Sequence, residues 1–135
     1  IKTPQQVFID DYAHHPNELK ESIGAARNLY PGKKITGVFQ PHLYSRTRDF
    51  AEEFARSLDL LDRVILLDIY PAREKPIPGI TSESILEKMK NTNRTLVSKK
   101  DLPELIKKEK PEVLLSLGAG DIDQLVEPLK NALQA

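Results

Sequence analysis

The chain has 135 residues, no cysteine, and 20 basic side chains against 20 acidic ones. That length suits one domain around one hydrophobic core, and the charge balance gives no general reason to bind nucleic acid or an anionic membrane. Without cysteine there is no disulfide frame and no thiolate metal site, as fits a reducing cytoplasm.

The first apolar run, Val7–Ile9, predicts a buried strand, and Asp10 to Pro16 forms the loop that follows it. A helix is expected from Pro16, a residue suited to a first turn, with Leu19, Ile23, Ala26 and Tyr30 on one face. Pro31-Gly32 stops it before a second strand, Ile35–Phe39. The loop Gln40–Arg48 then leads to a helix whose apolar face is Phe50, Phe54, Leu58 and Leu61. A third strand is expected over Val64–Ile69, a long loop over Tyr70–Gly79, and a short helix with Ile85, Leu86 and Met89, capped by Thr81 or Ser82. Thr95–Val97 reads as a fourth strand, and Asp101 as the cap of a helix from Leu102 to about Lys108. The fifth strand, Val113–Leu117, runs through Gly118-Ala119-Gly120 to Asp121 at the head of a last helix. That helix carries Ile122, Leu125, Val126, Leu129 and Leu133, and Pro128 is expected to kink it. Alternating continuous apolar strands with helices predicts an α/β, Rossmann-like three-layer domain: a mainly parallel sheet of five or six strands with helices on both faces. No apolar stretch approaches the ~20 residues of a membrane span, and no signal peptide is visible. Because the chain starts at Ile1 rather than Met, with a linker-like Lys2-Thr3-Pro4, it is expected to be a domain of a longer protein.

The polar motifs fall where such a sheet binds ligands, outside the carboxyl ends of the strands. Four conspicuous loops follow four strands, and all three histidines of the chain lie in the first two. The other edge has plain turns such as Tyr30-Pro31-Gly32-Lys33. Plainer readings exist for each motif. Gly118-Ala119-Gly120 serves equally as a phosphate turn or as a tight strand-to-helix connection. His14 and His15 suit a helix start, and with His42 they could form a zinc site, but no thiol or spaced carboxylate cluster completes the set, so no metal is expected. Tyr12 and Tyr44 could be half-buried packing residues, and Arg73-Glu74-Lys75 a charged surface loop. Arg46 near a helix start opposes the helix dipole, which hints at an anion nearby.

Asp11-Tyr12-Ala13-His14-His15-Pro16, followed by Phe39-Gln40-Pro41-His42-Leu43-Tyr44-Ser45-Arg46-Thr47, closely resembles the C-terminal domain of the ATP-dependent Mur ligases of peptidoglycan synthesis. The match is closest to those members that join L-alanine to UDP-N-acetylmuramate. Tyr70–Glu74, Pro76–Gly79 and Gly118–Asp121 match the same family in the same order, so the resemblance covers residues 1–135. It implies a third domain that closes over a UDP-sugar domain and a central P-loop domain of the same protein. The substrates would be UDP-N-acetylmuramate, L-alanine and ATP with Mg2+, and the location the bacterial cytoplasm. The lactyl carboxylate would be activated as an acyl phosphate, which the amine of L-alanine attacks. No Gly-x-x-x-x-Gly-Lys-Ser/Thr occurs in the chain, so these residues by themselves are expected to be inactive and to bind ATP weakly.

By the same resemblance, Asp11 contacts the nucleotide ribose, Tyr12 lies beside the adenine, and His14 belongs with them. His42, Arg46 and His15 surround L-alanine, with Arg46 on its carboxylate. Tyr44, Arg73, Glu74, Gly118, Gly120 and Asp121 line the cleft. Leu43 stands where some members have a basic residue, which removes one candidate carboxylate ligand. Two other readings remain open: the third domain of the ligase that adds a preformed tripeptide in wall recycling, and a non-catalytic nucleotide-binding module.

Overall fold

Apolar side chains on both faces of the strands divide the interior into two cores, one on each side of a single sheet. The computed structural model describes residues 7–118 and 121–134, apart from the side chains of Asp123 and Gln134. The strands are β1 (Val7–Asp11), β2 (Ile35–Phe39), β3 (Arg63–Leu66), β4 (Arg94–Leu96) and β5 (Val113–Leu117). All are parallel, in the order β1-β5-β2-β3-β4. The helices are α1 (Pro16–Leu29), α2 (Tyr44–Leu58), α3 (Glu83–Leu86), α4 (Leu102–Glu109) and α5 (Val126–Gln134), the last preceded by a 3-10 turn over Asp121–Leu125.

Strand alternation sorts the cores. Val113, Leu115 and Leu117 of β5, with Ile35 and Phe39 of β2, meet Leu19 and Ile23 of α1, Phe54 and Leu58 of α2, and Ile85 of α3. On the opposite face Leu114, Val38 and Ile65 meet Leu102 and Ile106 of α4 and Leu129 of α5. The expected layered parallel sheet is therefore present, with five strands among the described residues. The single expected core is in fact two.

Several local expectations are corrected. The loop after β2 is short, because α2 already begins at Tyr44; Tyr44, Ser45, Arg46 and Arg48 are helical. Phe50 does not lie on the buried face. Its backbone is non-helical (φ −120°, ψ 16°), which breaks the 3.6-residue register and turns its ring outward, 39% exposed, while Ala51, Phe54, Ala55 and Leu58 face the core. Leu61 lies beyond α2, in a turn closed by its amide on the Leu58 carbonyl. The third strand stops at Leu66, although Leu67 and Ile69 stay buried, and the fourth is one residue earlier than expected. Asp101 caps nothing with its side chain; its amide is taken by Ser98 Oγ. Ser82 turns inward to donate to the Leu67 carbonyl, so Thr81 accepts the Glu83 amide instead. Pro128 is the third residue of α5, in the first turn, where an N–H would have no partner within the helix, so proline's lack of one removes no hydrogen bond of α5.

One sequence choice is enforced by packing across β2. A Cβ built on Gly37 would lie 2.3 Å from Leu61 Cδ1, and Leu61 is itself buried. Gly37→Ala is expected to cost about 1–3 kcal/mol through overpacking, seen as a lower urea midpoint at unchanged slope. With Leu61→Ala added, the loss should be smaller than the sum of the two single changes; strict additivity would show that the two sites do not meet.

Candidate functional site

Because the strands are parallel, the loops after β1, β2, β3 and β5 share one edge, and hydrogen bonds lock them together there. The Gly118 amide donates to the Asp11 carbonyl (3.3 Å), the Gln40 amide to Leu117 (3.1 Å) and the Leu67 amide to Phe39 (3.0 Å). The loops after β1 and β2 lead to helices on one face, and the loop after β5 leads to the other face. In sheets of this kind that divergence, above β5, marks the usual ligand position.

On the β1 side, Asp11 is partly engaged by the chain itself. One carboxylate oxygen accepts the Ala13 amide at 3.0 Å and the other accepts the Ser22 hydroxyl at 2.6 Å. Each oxygen has a second lone pair left for a ligand. Tyr12 projects outward, 67% exposed. With Ala13, His14, Glu18 and Ser22 these residues line a shallow hollow of about 390 Å3. Glu18 reaches back from the first turn of α1 to accept the amides of His15 (3.0 Å) and His14 (3.2 Å), half of a capping box. Those backbone bonds, from His14 first, hold the Glu18 carboxyl below its ordinary range. They also fix both histidines at the helix start.

On the β2 side, Arg46 Nη1 lies 3.2 Å from His42 Nδ1, four residues earlier in the chain and just before α2. A guanidinium only donates, so Nδ1 is the acceptor and the imidazole proton sits on Nε2. Burial first, and then the Arg46 and His14 charges, push the His42 imidazole below its ordinary 6.5. The rings form a row: His15 to His14 at 4.9 Å, His14 to His42 at 6.2 Å, and His42 stacked on Tyr70 at 5.7 Å. Phe50 closes the row edge-on to His15 at 6.5 Å. Among the described residues no three histidine or carboxylate side chains are grouped to hold a metal ion.

The sites named from sequence thus separate into groups. Asp11, Tyr12 and His14 share the β1 hollow, and His14, His15, His42 and Arg46 are joined by the ring row and the Arg46 contact. Glu74 grips Ser45 at the start of α2, beside Tyr44. Arg73 is exposed with φ 74°. Gly118 has a packing reason of its own. At φ 141°, a Cβ there would come within 3.0 Å of the Gln40 carbonyl. Gly120 lies outside the described residues. Asp121 accepts Gln40 Nε2 at 2.7 Å and pairs with Lys99; burial works against its charge, and these two contacts outweigh it, so its carboxyl lies below the ordinary range.

The sequence assigned no site role to Gln40, Ser22 or Tyr70, and placed Phe50 in the core. Gln40 also accepts the Ile122 amide (3.0 Å) and so ties the end of β2 to the turn after β5. It and Tyr70 stand inside the motifs quoted above, so motif position could have flagged them. Ser22 has no such signal, since only folding brings it to Asp11.

A parallel sheet covered by helices on both faces, with imidazoles, an arginine and an exposed tyrosine at its carboxyl edge, defines a Rossmann-like α/β domain. The chain belongs to the Mur ligase family: the model of the "Mur ligase, glutamate ligase domain" matches residues 1–121. It is 58% identical over 98% of its length to a UDP-N-acetylmuramate–L-alanine ligase of Parabacteroides distasonis. The corresponding ligase of Porphyromonas gingivalis is 59% identical over 99% of the chain. The crystal structure of UDP-N-acetylmuramate-alanine ligase MurC from Thermotoga maritima superposes with a TM-score of 0.72 at 27% identity, covering 99% of this chain and 28% of that one. The chain spans about 30% of the length of the curated relatives it matches (29% and 30% for the two above).

His42 offers a direct check. Its NMR titration midpoint is expected below 6.5, and Arg46→Gln, by removing a positive neighbour, should raise it. The unfolded chain then binds the proton more readily than the folded one. Stability should therefore be intact above pH 6.5 and fall as the pH drops from there to the folded midpoint. A wild-type midpoint above 6.5 would contradict this environment.

Proposed function

We propose that this chain is the third domain of an ATP-dependent ligase that joins L-alanine to the lactyl carboxylate of UDP-N-acetylmuramate, a cytoplasmic step of bacterial peptidoglycan synthesis. The observation that carries the reading is Arg46, held by a neutral His42 at the carboxyl edge of the sheet, in a chain 58–59% identical to ligases of that name. One guanidinium N–H is taken by His42; the others are left for the L-alanine carboxylate, a pairing that favours a bidentate fork. His15 and His42 border the same amino-acid position.

The residues fit the nucleoside end of ATP. Exposed Tyr12 presents an aromatic face beside the hollow, His14 lines it, and Asp11 has spare acceptor capacity for ribose hydroxyls. The triphosphate and Mg2+ belong with a P-loop, which these 135 residues do not contain. In this reading a UDP-sugar domain and a central P-loop domain complete the enzyme. Mg2+ would supply charge stabilisation at the transferring phosphoryl group. This domain's residues would do the positioning, holding the amine against the activated carboxylate, where proximity is worth up to ~7–11 kcal/mol in favourable systems.

In the full-length ligase, Arg46→Ala is expected to raise the KM for L-alanine about 10- to 100-fold, the worth of a charge-assisted contact, with the KM for UDP-N-acetylmuramate nearly unchanged. Unaltered L-alanine kinetics would remove Arg46 from this role. The 135 residues alone should show no ATP- and L-alanine-dependent ligation, and measurable turnover would refute that division of labour.

A further inference from the structure

We propose that Glu74 is a positioning residue for Arg46, capping α2 from another loop so that the arginine is oriented without being neutralised. The inference rests on the role proposed above for Arg46.

Helix α2 lacks the means to cap itself. Its N-cap residue, Leu43, has no side chain able to accept an amide and sits at φ 72°, in the left-handed region. The first turn contains no acidic residue, while Arg46 and Arg48 place positive charge where the helix dipole disfavours it. The amides of that turn still need an acceptor. It comes from 29 residues further along the chain. Glu74 Oε1 accepts the Ser45 amide at 2.9 Å, and Oε2 accepts the Ser45 hydroxyl at 2.6 Å. Both carboxylate oxygens thus hold the one residue that precedes Arg46.

The route by which Glu74 reaches this point is built for it. Ala72 and Arg73 are both left-handed, at φ 47° and 74°, a costly conformation for two consecutive residues with side chains. They turn the chain so that Glu74, its amide on the Pro71 carbonyl, points back at α2. The preceding residues are pinned to the same segment. The Leu43 amide donates to Tyr70 O and the Tyr70 amide to Pro41 O, both at 2.8 Å, and the Tyr70 ring stacks on His42. Residues 70–74 therefore clamp residues 41–45, and His42 and Arg46 extend from the clamped turn.

The arrangement also explains why the cap comes from elsewhere. A carboxylate at the N-cap position itself, three residues before Arg46, would lie on the same helix face and would pair with it. Glu74 is engaged mainly by Ser45, with the Tyr44 amide and the Arg48 charge also favouring its carboxylate, and it forms no ion pair with Arg46 among the described residues; Arg48 itself pairs with Asp49. The Ser45 contacts, its hydroxyl first, hold the Glu74 carboxyl below its ordinary range, so the cap remains charged at neutral pH. Arg46 keeps its full charge for a carboxylate ligand.

The test uses the full-length ligase and separate KM values for L-alanine, UDP-N-acetylmuramate and ATP, with Arg46→Ala as the reference. Glu74→Ala is expected to raise the L-alanine KM about 5-fold or more, the scale of a lost cap, leaving the other two within about twofold. Glu74→Gln keeps an acceptor for the Ser45 amide and should recover most of the loss. Glu74→Ala should add little to Arg46→Ala, since both act on one contact; Ser45→Ala removes only the hydroxyl bond and keeps the amide one, so its effect should be smaller than that of Glu74→Ala. The proposal is overturned if Glu74→Ala leaves the L-alanine KM unchanged while Arg46→Ala raises it. It is equally overturned if all three KM values rise together, or if the Glu74 and Arg46 effects add in full. If Arg46→Ala itself has no effect, the substrate reading fails first, and the Glu74 role falls with it.

Discussion

Everything at the ligand edge depends on β5 being paired on both sides in one register. Val113 lies level with Val7 of β1 and with Ile35 of β2, and Leu117 level with Asp11 and Phe39. The strand ends that carry the β1 and β2 loops therefore stop at the same height, on either side of the strand that ends in Gly118. A one-residue slip in either pairing would turn each side chain of the shifted strand to the opposite core. Because the strands are buried and apolar on both faces, packing resists that slip. The close approach of Gly118 to Gln40 follows from the same geometry, as does the Gln40 bridge to Asp121 and Ile122.

Two carboxylates organise the site without being reserved for a ligand. Glu18 reaches back to the amides where α1 begins, and Glu74 reaches across to those where α2 begins. Each places a negative charge where the helix dipole favours it, and each fixes a histidine-bearing turn. Arg46 and His42 stand together beside that second turn, with the imidazole held below its ordinary range. In the proposed role of Arg46, a guanidinium fork of fixed orientation suits a carboxylate by geometry as well as by charge. On the opposite edge Arg27 pairs with Asp62 and Arg63 with Glu109, and none of the three histidines stands there, so the asymmetry between the edges is one of chemistry as well as loop length.

How much of this was legible in the chain varied with the range of the interaction concerned. Strand and helix positions came from periodicity, and four polar loops could be assigned to one edge, because alternating β and α segments with buried strands leave little choice but a parallel sheet. Phe50 misled because periodicity assumes an unbroken helix; a single residue at φ −120° moved its ring from the core to the histidine row. Pro128 misled for the opposite reason, since only the position of the 3-10 turn reveals that it stands in the first turn of α5. The motif residues were visible, but their partners were not: Ser22 is 11 residues from Asp11, Glu74 is 29 from Ser45 and Asp121 is 81 from Gln40.

The amino-acid sequence by itself determined the local elements, their alternation and the collection of histidines, arginine and tyrosine in strand-end loops. These follow from side-chain periodicity and turn chemistry within a few residues. Only the tertiary structure decided that β5 enters between β1 and β2, that the interior divides into two cores, and that α2 is capped from the loop after β3. Those are pairings between distant segments, selected by burial of both sheet faces and by hydrogen bonds that exist only once the strand order is set.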